Sequence, residues 1–282
     1  MVAKTVVCWA VVCFSLGALV PCILNAADGA GVNYDQVRAG LIAEFGSRNP
    51  VEWGMSVNGV ATRLATDEKV IALTLDACGG PKGNGYDAEL MSFLEQQNIP
   101  AMLFVNARWI DANSAVFSEL AGNSLFTVAN HGFRHRPASV TGRGIYGING
   151  TRGVAELADE IWLNTEKIRL ATGKITTYYR SGTAFYDEVA VEIAGRLGHT
   201  VLGFSVIGDG GATFTKEQVK TALLGSKPGS IVILHMNHPG KGTAEGVKAA
   251  VPILKARGYR FVNLAEYALE KAGERQHFSN VR

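Results

Sequence analysis

The segment Val70-Ile71-Ala72-Leu73-Thr74-Leu75-Asp76 decides how this chain is read. It is almost wholly apolar, carries no alternation of polar and apolar residues, and stops on a carboxylate. A strand with one wet face would alternate, so an unbroken run fits a strand covered on both faces. Similar runs recur at Ala101–Val105, Phe126–Ala129, Thr176–Tyr179, Val201–Ile207, Ser230–Leu234 and Arg260–Val262. Between them lie stretches with helical spacing, at Asp87–Gln97, Val154–Leu170, Asp187–Leu197, Lys216–Leu224 and Ala244–Ala256. Strand and helix alternating about seven times predicts an α/β protein, with parallel strands and helical crossovers. The count fits a closed barrel or an open doubly wound sheet. No repeat or linker divides the region, which reads as one domain over residues 69–272. Residues 27–68 form an N-terminal extension with one amphipathic stretch, Tyr34–Phe45, expected to pack on that domain, and residues 273–282 form a polar tail.

Composition narrows the possibilities. The 282 residues hold 27 Lys+Arg against 25 Asp+Glu, a net charge of +2, and no basic patch interleaved with aromatics, so nucleic acid is not supported as a partner. With 47% apolar and 18% charged residues the chain is neither disordered nor a coiled coil. The 33 glycines call for many tight turns or close backbone approaches. Lys4, the apolar run Thr5–Leu24 and the small residues Asn25-Ala26-Ala27 read as a signal peptide over residues 1–26. The expectation is therefore an exported protein, periplasmic or secreted, with no stable membrane anchor after cleavage. The run is also long enough to span a bilayer, so an uncleaved anchor is the competing reading. Cleavage removes Cys8, Cys13 and Cys22 and leaves Cys78 alone, which excludes an internal disulfide.

The polar residues that follow the apolar runs carry the functional signal. Asp76 ends the first, Asn130-His131 the third with His135 four residues on, Arg180 the fourth, Asp209 the fifth and His235 the sixth. In parallel α/β folds the carboxyl ends of the strands share one face, where ligands bind. Any one of these residues has an ordinary explanation as a satisfied loop residue, but five strands delivering ionisable groups to one mouth point to an active site. The spacing of His131-Gly132-Phe133-Arg134-His135 lets two imidazoles converge on one metal ion, with Zn2+ the default.

These residues resemble the polysaccharide deacetylase family, which includes chitin, chitooligosaccharide and peptidoglycan deacetylases and some acetylxylan esterases. Thr74-Leu75-Asp76, His131 and His135, Arg180 and Leu234-His235 stand in the family's order, over roughly residues 70–270. The resemblance implies a distorted (β/α)7 barrel and hydrolysis of N-acetyl, or O-acetyl, groups of a polysaccharide such as peptidoglycan. It implies Asp76 as general base, His235 as general acid, Arg180 as the residue that orients Asp76, and His131 and His135 as metal ligands. Asp209, Asn130 and Ser181 would support the site or touch substrate. Three departures stand out. Ala77 occupies the place of the family's metal-binding aspartate and has no donor atom. Arg180 leads into Ser181-Gly182-Thr183 where the family has prolines and an aromatic residue. An Asp209-Gly210-Gly211 turn replaces an Asp-Trp element. The missing ligand leaves three options open: Asp76 binds the ion itself, Cys78 offers a thiolate, or the site works without a tightly bound metal. For Cys78 a packing role in the Cys78-Gly79-Gly80 loop is the preferred reading.

Readings from other classes are weaker. Gly83-Asn84-Gly85-Tyr86-Asp87-Ala88 matches a dinucleotide fingerprint but begins too far beyond its strand. Around Ser205 the second glycine falls one place late for a nucleophile elbow. A catalytically impaired carbohydrate-binding protein on the same barrel is the serious competitor, since losing a metal ligand is what such drift would look like. Against it stands the retention of Asp76, Arg180 and His235. Trp109 and Trp162 read as packing residues, and His199 as an ordinary residue at a helix end.

Overall fold

The computed structural model describes residues 33–273. The expected signal peptide with Cys8, Cys13 and Cys22, and nearly all of the polar tail, lie outside these residues. Among the described residues no helix is long and apolar enough to cross a membrane.

The chain runs through α1 (Tyr34–Phe45), β1 (Ala61–Leu64), β2 (Val70–Ala77), α2 (Ala88–Gln96), β3 (Ala101–Val105), α3 (Ala107–Ala112), α4 (Ser114–Gly122), β4 (Phe126–Asn130), α5 (Val154–Thr172) and β5 (Tyr178–Tyr179). It continues through α6 (Glu188–Arg196), β6 (Thr200–Val201), β7 (Val206–Ile207), α7 (Lys216–Leu224), β8 (Ser230–His235), α8 (Gly242–Ala256), β9 (Arg260–Phe261) and β10 (Leu269–Lys271). Helix starts are set by short polar side chains that take up free backbone N–H groups. Asp87 accepts from Leu90, Asp187 from Ala190, and Thr215 shares a reciprocal cap with Gln218.

The strands form one sheet in the order β10-β1-β8-β2-β3-β4-β5-β6, with β7 on β8 and β9 on β2. The pairs β8-β2-β3-β4-β5-β6 are parallel; β1 is antiparallel to both β10 and β8. The sheet curls until Leu202, just past β6, bridges Ala61 of β1. The strand rhythm leaves a closed barrel and an open doubly wound sheet as alternatives; the curled sheet is the distorted α/β barrel that the family resemblance implies.

The period of two along β2 assigns its faces. Ile71, Leu73, Leu75 and Ala77 pack outward against α2, α4, α7 and α8 through Leu90, Phe117, Val219 and Val247. Val70 and Ala72 face the barrel interior with Met102, Phe104, Ala129 and Ile231. A third cluster joins Leu41 and Phe45 of α1 to Leu157 and Ile161 of α5 and Val189 and Ile193 of α6. The amphipathic stretch Tyr34–Phe45 is thus a helix seated on the outer layer.

The run Val201–Ile207, predicted as one strand, is two. Gly203 breaks it because its backbone is used twice for other purposes: its N–H closes the barrel onto Ala61, and its carbonyl accepts from Arg180. The antiparallel pair β1 and β10 has no sequence counterpart above. Its strands are short, and Leu269-Glu270-Lys271 is largely polar.

Candidate active site

The alternation that places Ala72 inside the barrel carries on to Thr74 and Asp76, which rise on the same face toward the carboxyl ends of the strands. Arg180, at the end of β5, reaches across to them. Its Nη1 donates to Asp76 Oδ1 at 2.7 Å and to Thr74 Oγ1 at 2.9 Å. Its Nε and Nη2 donate to the carbonyls of Leu202 and Gly203, and the guanidinium lies 4.2 Å from the Phe104 ring centroid. Arg180 is fully buried and Asp76 nearly so. Removing one partner of such a buried pair costs about 3–5 kcal/mol, because it strands the other charge. Arg180 is fully buried and makes four side-chain hydrogen bonds within the protein, so it orients Asp76 and does not reach toward a ligand.

The turn after β4 brings in the two imidazoles. His131 Nδ1 lies 3.0 Å from the Arg180 carbonyl, which can only accept; the proton therefore sits on Nδ1, and Nε2 is left with its lone pair toward the site. That Nε2 is 3.6 Å from Asp76 Oδ2 and 3.8 Å from Cys78 Sγ. His135 adopts φ +62° and its ring stands 4.9 Å from that of His131. Its Nε2 is buried and has no hydrogen-bond partner among the described residues. Ligand atoms of Cys78, His131 and His135 all lie within 4.8 Å of one another.

His235 ends β8, directly beside Asp76 in the sheet register. Asp209, fully buried, receives its Nδ1 at 2.9 Å, its backbone N–H at 2.7 Å and the Thr243 hydroxyl at 3.0 Å. Burial disfavours the charged imidazolium, but the Asp209 carboxylate outweighs it and holds the His235 pKa well above the usual range. Burial likewise opposes ionisation of the Cys78 thiol. The electrostatic influence of the surrounding imidazoles, His135 first and then His131 and His235, overcomes it, and its pKa lies well below the ordinary thiol value.

Residues 63–202 match the family described as polysaccharide deacetylase. The chain belongs to the polysaccharide deacetylase family. Solved structures of similar fold include a peptidoglycan N-acetylglucosamine deacetylase (20% identity, TM-score 0.63, covering 74% of this chain and 92% of that one). A family 4 acetyl xylan esterase from Clostridium thermocellum, in complex with a cobalt ion, has 22% identity and a TM-score of 0.57, covering 70% of this chain and 89% of that one. A CE4 family pseudoenzyme from Bacillus anthracis has 20% identity and a TM-score of 0.62, covering 73% of this chain and 67% of that one. The polysaccharide deacetylase fold thus carries both active enzymes and proteins described as pseudoenzymes.

Within this member of the family, the residues expected at the site fall into two groups. Asp76, Arg180, His131, His135, His235 and Asp209 converge. Asn130 and Ser181 are buried with their polar atoms turned into the protein. Asn130 Nδ2 donates to the Ile161 carbonyl and Thr165 Oγ1, its Oδ1 accepts from Gly132 and Asn164, and Ser181 Oγ donates to the Phe185 carbonyl. Trp109 is fully buried, with its indole N–H on the Gly85 carbonyl. Ala77 lies wholly in the outer apolar cluster, which removes it from the site by facing as well as by chemistry. Cys78, preferred above as loop packing, is instead one of the three convergent donors.

Three supports carried no sequence signal of their own. Asn106 donates to the carbonyls of His131 and Gly132. Glu160 of α5 accepts the backbone N–H groups of Arg134 and Arg136, on either side of His135. A Cβ on Gly182 would lie 2.5 Å from Cα and from Cγ of His135, so glycine there is what lets that ring in.

The donor set suits a metal. His135 Nε2 is a buried polar atom that nothing among the described residues satisfies, and His131 is oriented from behind by a carbonyl, the usual outer support of a metal-binding imidazole. Cys78 adds a soft third donor.

Proposed function

We propose that this protein is a carbohydrate deacetylase that hydrolyses N-acetyl groups of a polysaccharide, with Zn2+ held by Cys78, His131 and His135. The observation that carries the reading is the partnerless, buried Nε2 of His135 beside Cys78 and His131, next to the Asp76–Arg180 pair. A divalent ion there would supply Lewis acidity to the acetyl carbonyl and a lowered pKa for water. Asp76, held by Arg180 on Oδ1, turns Oδ2 to the site and takes the proton of the attacking water. His235, kept charged by Asp209, gives its proton to the departing amine. The two proton carriers sit side by side on β2 and β8, so addition and departure are served from one edge of the site. Peptidoglycan is the substrate class of one structural relative and is a natural first substrate to assay.

A second reading has one observation in its favour. The Cys78 thiol is drawn toward ionisation by the surrounding imidazoles, His135 first and His235 among them, and the far side of His235 is held by Asp209: a nucleophile, a base and an orienting acid. In that case the thiolate attacks the acetyl carbonyl, the amine leaves with the proton of His235, and water cleaves the thioester to acetate and free thiol. Acetate release from an N-acetylated glycan, with metal content measured on the same sample, tests both. Asp76→Asn and His235→Ala are expected to abolish turnover, and either one turning over like the unmodified protein overturns the assigned roles. Cys78→Asp separates the readings, since a carboxylate can bind a metal but cannot form the thioester. Retained metal-dependent activity supports the first; complete loss with metal still bound supports the second.

A further inference from the structure

The loop that leaves His135 carries an aromatic group for which the mechanism has no use. Tyr146 and Gly147 form a two-residue turn with φ +54° and +74°, closed by mutual backbone hydrogen bonds between Ile145 and Ile148. Both central residues of such a turn need positive φ, which glycine, asparagine or aspartate supply cheaply and a bulky aromatic residue does not. Tyr146 is nevertheless there, and its side chain is 70% exposed. A bulky ring held in a strained backbone and left largely in water adds little to folding, which points to a use outside the fold.

The ring is not alone. Its centroid lies 5.7 Å from that of Phe185 with the planes at 90°, and Phe185 lies 5.8 Å from Trp53. The guanidinium of Arg143 sits 5.2 Å from the Trp53 ring. Two perpendicular rings make a corner, with Arg143 a hydrogen-bond donor at its side. The corner is joined to the catalytic constellation along the chain. Tyr146 belongs to the loop that leaves His135, and Phe185 to the segment that leaves Arg180, whose Gly182 presses on His135. Trp53 is fixed there because Gly54 and Tyr186 exchange both backbone hydrogen bonds.

The geometry points to a subsite in which the Tyr146–Phe185 corner, extended by Trp53 and Arg143, receives a pyranose ring of the glycan chain next to the residue being deacetylated. The C–H face of a pyranose is apolar and packs on an aromatic ring, while its rim of hydroxyl and acetamido oxygens accepts from Arg143. This inference rests on the carbohydrate substrate proposed above, and its test is arranged so that the two can fail separately.

The test is binding to the full-length protein, by calorimetry, of a β-1,4-linked N-acetylglucosamine tetramer and of the monomer, with acetate release followed independently. The tetramer is expected to bind more tightly than the monomer, and Tyr146→Ala or Phe185→Ala to weaken tetramer binding on the order of tenfold, the scale of one aromatic contact. Leu170→Ser, which removes an equally exposed apolar side chain at the far end of α5, is expected to leave it unchanged. Tyr146→Gly is the decisive variant. It relieves the backbone strain, so it is expected to raise the melting temperature while weakening tetramer binding, a split that a purely structural role for Tyr146 would not produce. Tetramer binding no tighter than monomer binding, or unaltered in Tyr146→Gly, overturns the subsite. Tight, Tyr146-dependent binding without acetate release supports the subsite and counts against the catalytic reading instead.

Discussion

Gly182→Ala tests the architecture of the site with a single methyl group. Gly182 is not in the left-handed region, so the backbone accepts alanine without strain. The obstacle is His135, whose Cα and Cγ would lie 2.5 Å from the new Cβ, against ordinary contact at 3.4 Å and beyond. The difference, about 0.9 Å, must come from moving His135 or the Ser181-Gly182 segment. Arg180 anchors that segment through four side-chain hydrogen bonds, and Glu160 fixes the backbone on both sides of His135, so neither yields freely. Overpacking of this kind costs about 1–3 kcal/mol. Displacing a reacting or ligating group by about 1 Å costs about a hundredfold in rate. The expected result is a folded protein with a modestly lowered melting temperature, zinc affinity reduced by at least tenfold, and acetate release reduced about a hundredfold. Zinc titration with a competing chelator and circular dichroism melting read the two effects apart. Unchanged zinc affinity and turnover in a folded Gly182→Ala protein would refute the placement of His135 at the centre of the site.

Three further outcomes follow from particular contacts. Cys78→Ser keeps the volume but removes the soft donor, so zinc retention through dialysis against chelator should fall sharply, and retention equal to the unmodified protein would remove Cys78 from the ligand set. Asp209→Asn deprives His235 of the charge that raises its pKa; the basic limb of the pH–rate profile should move to lower pH, since the protonated acid is then lost earlier, and turnover should drop by about a hundredfold or more. His199, buried and neutral between the Leu197 carbonyl and Thr165 Oγ1, has its pKa lowered to about 4 by burial. The unfolded chain therefore binds that proton first. Stability should be unaffected above pH 6.5 and decline as pH falls toward 4, by about 3 kcal/mol in all. Denaturant titrations of His199→Gln should lack this part of the slope, and parallel pH curves for the two proteins would disprove it.

What the sequence determined follows from local rules. Continuous apolar runs set the parallel strands, and 3.6-residue spacing with short polar caps set the helices, including Tyr34–Phe45 and Lys216–Leu224 to the residue. The strand-end positions of Asp76, His131, Arg180 and His235 were legible because parallel strands have one common carboxyl end, whatever the closure. The fate of each polar side chain was not. Asn130 and Ser181 sit at strand ends too, yet α5 and the Phe185 carbonyl take up their hydrogen bonds, and no spacing along the chain records those partners. Cys78 reads as loop filling in the sequence, but β8 pairs directly beside β2 and the curl of the sheet brings in β4, so His235 and His131 approach it, the latter from 53 positions away. Gly203 and Gly182 are ordinary glycines in sequence; closure makes one the seam of the barrel and the other the space for a histidine ring. Periodicity fixes which face a residue occupies, because that is a property of the strand itself. Which donors end within ligand distance depends on how far the sheet curls and where its loops fold back, and those are set by packing between segments remote in the chain.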